Sequence, residues 1–211
     1  MSIHERMSSF AMLGAEWVLW VLVALSLIAV AIIVERSMCL LSGRRDSGKL
    51  RRRLLARLTA GDLPGARHLL QESPCVEARV AEAGLSGGSV HGAEDRMSAA
   101  TERERQQLEK RLAYLGTVGN NAPFVGLLGT VIGIIRAFHE LDRSGGQLST
   151  GLMTVVGEAL VATAVGILVA LPAVAFFNLF QRIIQARLGQ AEALGREAIG
   201  YLKASQDVES R

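Results

Sequence analysis

The sequence predicts an all-α membrane protein with three transmembrane helices, the second and third extending as long helices into the cytoplasm. Three observations carry this. Half of the 211 residues are hydrophobic, and they are gathered into three blocks instead of being spread along the chain. Each block is close to, or exceeds, the roughly 20 apolar residues needed to cross a bilayer. The polar segments flanking the second and third blocks have helix-forming composition, with few glycines or prolines to stop a helix.

Residues 1–16 mix polar and apolar side chains and read as a periplasmic N-terminal segment, with an interfacial helix as one form of it. Residues 17–35 form the first span. From Trp17 to Val34 the only polar residue is Ser26, and eighteen residues at helical rise cover about 27 Å. A signal peptide is the competing reading. The block exceeds a signal peptide's apolar core of about 7–15 residues, and it ends in Glu35-Arg36 instead of a small-residue cleavage site, so it reads as a retained helix. Trp17 and Trp20 suit one membrane interface.

Residues 36–111 are a cytoplasmic helical loop domain holding fifteen of the 23 Lys and Arg. The N-terminal segment has one, residues 136–143 at the outer end of the second span two, and the C-terminal tail five. The positive-inside rule then puts residues 36–111 and 182–211 in the cytoplasm, and the N-terminus and the loop at 139–150 in the periplasm. Within the cytoplasmic segment, KLRRRLLARLT (49–59) alternates basic and aliphatic residues. It suits either a helix lying on an anionic leaflet or a solvated helix packed on its neighbours. Asp62 and Pro64 open a short helix through Gln71. Pro74 opens another that ends near Gly84, and Ser86-Gly87-Gly88-Ser89 is a flexible break. From Glu94 no Gly or Pro intervenes before Gly116, so one continuous helix into the second span is expected. Glu102–Arg105 and Arg105–Glu109 are candidate charge pairs along it.

The second span covers residues 112–138 and the third 151–181, the periplasmic loop lies between them, and 182–211 is a C-terminal helix. Both later spans are rich in small residues. Gly119, Pro123, Gly126, Thr130, Gly133 and Ala137 recur at alternating steps of four and three, which places them on one helix face. Thr154, Glu158, Ala162, Gly166 and Ala170 recur every four residues and are read as one face of the third span. Small residues let helices approach closely in lipid. Pro123 and Pro172 are expected to kink their helices.

Glu158 is the one charged residue between Ser144 and Gln181. A carboxylate in a span is costly and usually marks an ion or proton path; the plainer alternative has it near the outer end of a tilted helix, reaching water. Burial would raise its proton affinity. Thr130 and Thr163 either bond the carbonyl one turn back or lend their hydroxyls to a proton wire. Asn120 and Asn121 lie near the cytoplasmic end of their span and read as wet.

Other chemistry finds little footing. The formal charge of +3 comes without basic stretches interleaved with aromatics, so no nucleic acid is implied. Cys39 and Cys75 are isolated, and His4, His68, His91 and His139 are scattered, so neither metal nor disulfide framework is read. Gly43, Gly48 and Lys49 match part of a phosphate-binding loop. Leu50 stands where the hydroxyl should be, however, and no strand precedes it. No nucleophile–base arrangement suggests an enzyme.

NAPFVGLLGTVIGIIRAF followed by GEALVATAVGILVALPAVAFFN resembles the signature of the ExbB/TolQ/MotA proton-channel family, densely from residue 112 to 181. The three-span layout resembles ExbB and TolQ, whereas MotA-type members have four spans, and GDLPGARHLLQESP loosely resembles their helical loop. The resemblance implies a pentamer around two copies of a single-span ExbD- or TolR-like partner that supplies a titrating aspartate. Protons are the coupling ion, no further cofactor is implied, and a TonB- or TolA-like transducer would carry work to the periplasm. Carried over by motif, Thr130, Glu158 and Thr163 line the pore. Gly119, Pro123, Gly126, Gly133, Ala162, Gly166 and Ala170 form the packing face. Val156-Gly157 replaces the family's usual Ile-Ala before the glutamate. The expected function is an inner-membrane proton-channel motor subunit, ExbB-like and energising uptake. The alternatives are a TolQ-like envelope or gliding motor and a non-conducting scaffold. A substrate transporter would show internal repeats and a polar solute site, and neither is found.

Overall fold

The computed structural model describes residues 16–42, 47–86, 92–147 and 150–209. Among them the elements are helices: α1 (Glu16–Ser42), α2 (Ser47–Thr59), α3 (Leu63–Gln71), α4 (Val76–Leu85), α5 (Ala93–Glu109), α6 (Leu112–Arg143) and α7 (Thr150–Glu209). Three stretches are long and apolar enough to cross a membrane: Glu16–Leu40, Leu112–Arg143 and Thr150–Ala204. The expected segment at 1–16 lies outside the described residues except for Glu16, as do Gly87–Ser89 of the expected break.

The chain forms two compact units. The first holds α1 through Glu35, α6, and α7 through Asn178. Val18, Leu22, Ala29 and Ile32 are buried along α1 at steps of three, four and seven, one helical stripe. The complementary side stays bare: Trp20, Leu27 and Ile28 are exposed. On α6 and α7 the outward positions are again large and apolar, among them Phe124, Phe138, Leu160 and Leu168. Such a surface suits lipid or other helices, not water.

The second unit holds Arg36–Lys110 and Leu179–Arg211. Its core joins Leu50, Leu54 and Leu58 of α2, Ala66 and Leu70 of α3, Ala78, Ala81 and Leu85 of α4, and Leu194, Ala198 and Leu202 of α7. The aliphatic stripe of α2 is therefore spent on its neighbours, which selects the packed helix over one lying on the leaflet. Its basic face is outward, with Arg51 bonding Glu197 at 2.6 and 3.0 Å. That contact holds the Glu197 carboxyl below its ordinary range. The α3 start forms as the sequence predicts. Asp62 accepts the Gly65 N–H at 2.9 Å and, on its other oxygen, Arg57 Nη1 at 2.7 Å. The Gly65 N–H first, and then Arg57, keep its carboxyl below the usual range. Arg79 grips the buried Glu104 through two bonds of 2.6 and 2.5 Å, linking α4 to α5.

The expected continuous helix from Glu94 into the second span does not form. It breaks at Lys110, which is extended (φ −52°, ψ 131°), and Arg111, which is left-handed (φ 71°). Arg111 is the one non-glycine with positive φ among the described residues. That conformation costs a non-glycine roughly 1–2 kcal/mol. Contacts from α1 meet the chain at the break: Arg111 pairs with Glu35. Arg36 Nη1 donates at 3.4 Å to the carbonyl of Leu108, one of the last-turn carbonyls that the α5 end leaves without a helical donor. Of the two charge pairs expected along α5, Arg105 forms an ion pair with Glu102, at 3.6 Å. Helix α1 runs seven residues past its expected end at 35. The far part is anchored in the second unit, where Leu40 is buried and its carbonyl accepts from Arg187.

Candidate functional site

The site is built on the seam between α6 and α7. Gly119, Gly126 and Gly133 are buried on α6 and spaced by seven, two helical turns. A Cβ on Gly126 would stand 2.7 Å from the Ala162 carbonyl oxygen, and one on Gly166 would stand 2.7 Å from that of Ala122. A Cβ on Gly133 would meet the Ala159 methyl at 2.4 Å, and one on Gly119 the Val174 side chain at 2.5 Å. The helices thus touch backbone to backbone, the close approach that small residues permit in lipid. Of the α6 residues predicted for packing, Gly119, Gly126, Gly133 and Ala137 are buried, while Pro123 and Thr130 are half-buried. Ala122, Gly129 and Ala159 are also part of the seam and were not singled out in the sequence. Their signal was there, in the four-residue step from Ala122 to Gly126 and from Gly129 to Gly133.

On α7 the predicted face divides. Ala162, Gly166 and Ala170 are buried, but Thr154 and Glu158 are exposed. The reason is geometric. A step of four residues turns 400°, so each step drifts by about 40° and four steps by about 160°. A stripe with that spacing winds off the seam, and Glu158 sits where it has already turned outward. The acid therefore belongs to the outer surface of this chain's α6–α7 pair. Exposed Met153, Leu160 and Val161 lie nearby on α7.

The threonines differ in the same way. Thr130 donates its hydroxyl back to Leu127 at 2.7 Å, the local bond expected of a membrane threonine. Thr163 donates across the seam to the Gly126 carbonyl at 3.2 Å. About 140° of helix circumference separates Thr163 from Glu158, five residues away, so within one chain they do not share a face. Asn120 and Asn121 are exposed, and Asn121 bonds the Thr117 carbonyl at 2.8 Å.

Comparison with known proteins agrees with this architecture. A profile described as the MotA/TolQ/ExbB proton channel family matches residues 72–193. A putative biopolymer transport protein, ExbB-like 2, of Helicobacter pylori is 43% identical over 89 residues, 41% of this chain and 59% of that protein. The biopolymer transport protein ExbB of Xanthomonas campestris is 45% identical over 109 residues, 52% of this chain and 43% of its own length. The Tol-Pal system protein TolQ of Pseudomonas aeruginosa is 37% identical over 101 residues, 48% and 44% of the two chains. The chain spans about half the length of the curated relatives it matches. With the profile covering more than half of it, over α4, α5, α6 and α7 as far as residue 193, the chain belongs to the MotA/TolQ/ExbB proton channel family.

Proposed function

We propose that this chain is a wall-forming subunit of a proton-driven motor in the bacterial inner membrane, with Glu158 on the proton path. The observation that carries this is the place of Glu158. It is an exposed carboxylate about two turns inside a membrane-spanning helix, with exposed Val161 (52%) on the same side, about 60° around the helix. No ion pair or hydrogen bond engages it among the described residues. Facing lipid, its charge would cost roughly 2.5–3.5 kcal/mol or more. Water in a lumen, or a second polypeptide, removes that penalty.

A ring of copies around a single-span ExbD- or TolR-like partner supplies both. The exposed apolar positions of α6 and α7 give such a ring its contacts, and the partner's own titrating group completes a path that one acid per chain leaves incomplete. Relatives named for biopolymer transport favour an ExbB-type role passing work to a TonB-like transducer. The charge distribution favours a periplasmic N-terminus and a cytoplasmic C-terminus. In this mechanism the Glu158 carboxylate takes a proton arriving from the periplasmic side and releases it when motion of the partner changes its surroundings. The Thr130 hydroxyl remains able to accept a hydrogen bond while donating to Leu127.

The test is proton flux in vesicles holding this chain and its partner, wild type against Glu158→Gln, with complex assembly followed in parallel. Loss of flux from an intact complex is expected. Unchanged flux refutes the role of Glu158. A stable complex that conducts in neither form refutes the channel and leaves a scaffold.

A further inference from the structure

Thr163 stands apart from Thr117, Thr130 and Thr154 of the same two helices. Thr117, Thr130 and Thr154 each donate to a carbonyl of their own helix, at 2.9, 2.7 and 3.1 Å. Thr163 passes over its own helix and donates to Gly126, 37 residues away, at 3.2 Å. A side chain this short reaches a neighbouring helix's carbonyl only where the two backbones touch. Gly126 and Gly166 create that place: a Cβ on Gly126 would stand 3.0 Å from Thr163 Cα and 3.2 Å from Gly166 Cα.

We infer that Thr163 is a positioning residue: its hydroxyl ties α7 to the Gly126 carbonyl of α6 and fixes the rotation of α7 that aims Glu158. Around it the seam is built of small residues, Ala122, Gly126, Gly129, Gly133, Ala159, Ala162 and Gly166, whose contacts are non-directional and offer few knobs to key one helix into the next. A hydrogen bond is directional and weakens steeply when bent. Glu158 lies about 140° around the helix and about 7.5 Å along it from Thr163, so any turn of α7 turns both equally. A rotation of roughly 20° carries a group at the helix's outer radius about 2 Å sideways. That shift exceeds the range of a proton-transfer hydrogen bond. The geometry of the tie stands independently of the proton-path reading, and only its effect on flux rests on that reading.

The experiment uses the full chain with its partner in vesicles, with Cys39 and Cys75 replaced by serine. A Glu158→Cys reporter is labelled with a charged methanethiosulfonate reagent, and the labelling rate reads where position 158 points. Thr163→Val keeps the shape and removes the donor, whereas Thr163→Ser keeps the donor. Thr163→Val should change the labelling rate about threefold or more, the scale of one interhelical hydrogen bond in a membrane, and Thr163→Ser should restore it. With Glu158 intact, Thr163→Val should reduce flux and Thr163→Ser should rescue it. An unchanged labelling rate in Thr163→Val overturns the inference whatever flux does. So does a change that Thr163→Ser fails to reverse, because shape and not the hydroxyl would then be responsible. If Glu158→Gln leaves flux intact while labelling still follows the Thr163 hydroxyl, the tie stands and the proton-path reading falls. Should Thr163→Val fail to assemble, Thr163→Ala carries the same comparison.

Discussion

Replacing Gly126 by alanine tests the seam at its narrowest point. The added methyl would stand 2.7 Å from the Ala162 carbonyl oxygen, where ordinary contact begins near 3.4 Å, so the helices must separate by about 0.7 Å. The obstacle is backbone and cannot swing aside. A gap of 0.5–1 Å forfeits roughly a quarter to a half of each contact's attraction along the seam, and overpacking of this kind costs about 1–3 kcal/mol. The same movement stretches the 3.2 Å Thr163–Gly126 bond past hydrogen-bonding range, losing about 0.6 kcal/mol more. The expected loss is therefore about 1.6–3.6 kcal/mol. Reversible unfolding in mixed micelles measures it. Gly157→Ala is the internal control, because nothing lies within 4 Å of its added methyl. It should be neutral, or stabilise by up to about 1 kcal/mol through helix propensity. If Gly126→Ala proves as harmless as Gly157→Ala, the close contact is wrong and the argument built on the Thr163 tie fails with it.

Four further outcomes are expected. Arg111→Gly should be tolerated better than Arg111→Val, by about 1 kcal/mol or more in the same unfolding assay, because φ 71° suits glycine and penalises a β-branched residue. Arg79→Ala should destabilise by about 1–3 kcal/mol by stranding the buried Glu104 carboxylate, while Arg79→Lys should recover only part, lacking the two-pronged grip. Asp62→Ala should lower the melting temperature of the second unit, and Asp62→Asn should lower it less, since an amide oxygen still caps Gly65. Asp62 and Glu197 both have depressed folded-state values. Their contribution is thus present above the unfolded carboxyl range near pH 4 and is lost as pH falls through the folded values. A melting-temperature profile from pH 7 to pH 2 should show wild type falling steeply below about pH 4, and Asp62→Asn falling less.

What the sequence made legible is what neighbouring residues decide. Asp62 and Pro64 announce the start of α3 because the cap bond closes within three residues. Leu50, Leu54 and Leu58 announce a buried stripe because helical spacing alone sets it. The α6 seam was legible too, because alternating steps of four and three hold a face over many turns. The α7 stripe was misread for the complementary reason, since equal steps of four accumulate drift and separate Glu158 from Ala170. The break at Arg111 carries no local signal: its partner Glu35 lies 76 residues earlier, and only the assembled helices bring the charges together. The same holds for Thr163. Its residue type allows a local bond, and only the backbone contact at Gly126 gives it a nearer use.

The outward turn of Glu158 also bears on how cells would handle the chain on its own. A newly inserted copy without company holds a carboxylate against hydrocarbon, in a helix pair that is otherwise complete. Among the described residues no ion pair or hydrogen bond relieves this. In the ring proposed above, joining other copies would hide the flaw, and the stability of each copy in the membrane would then follow the supply of its companions.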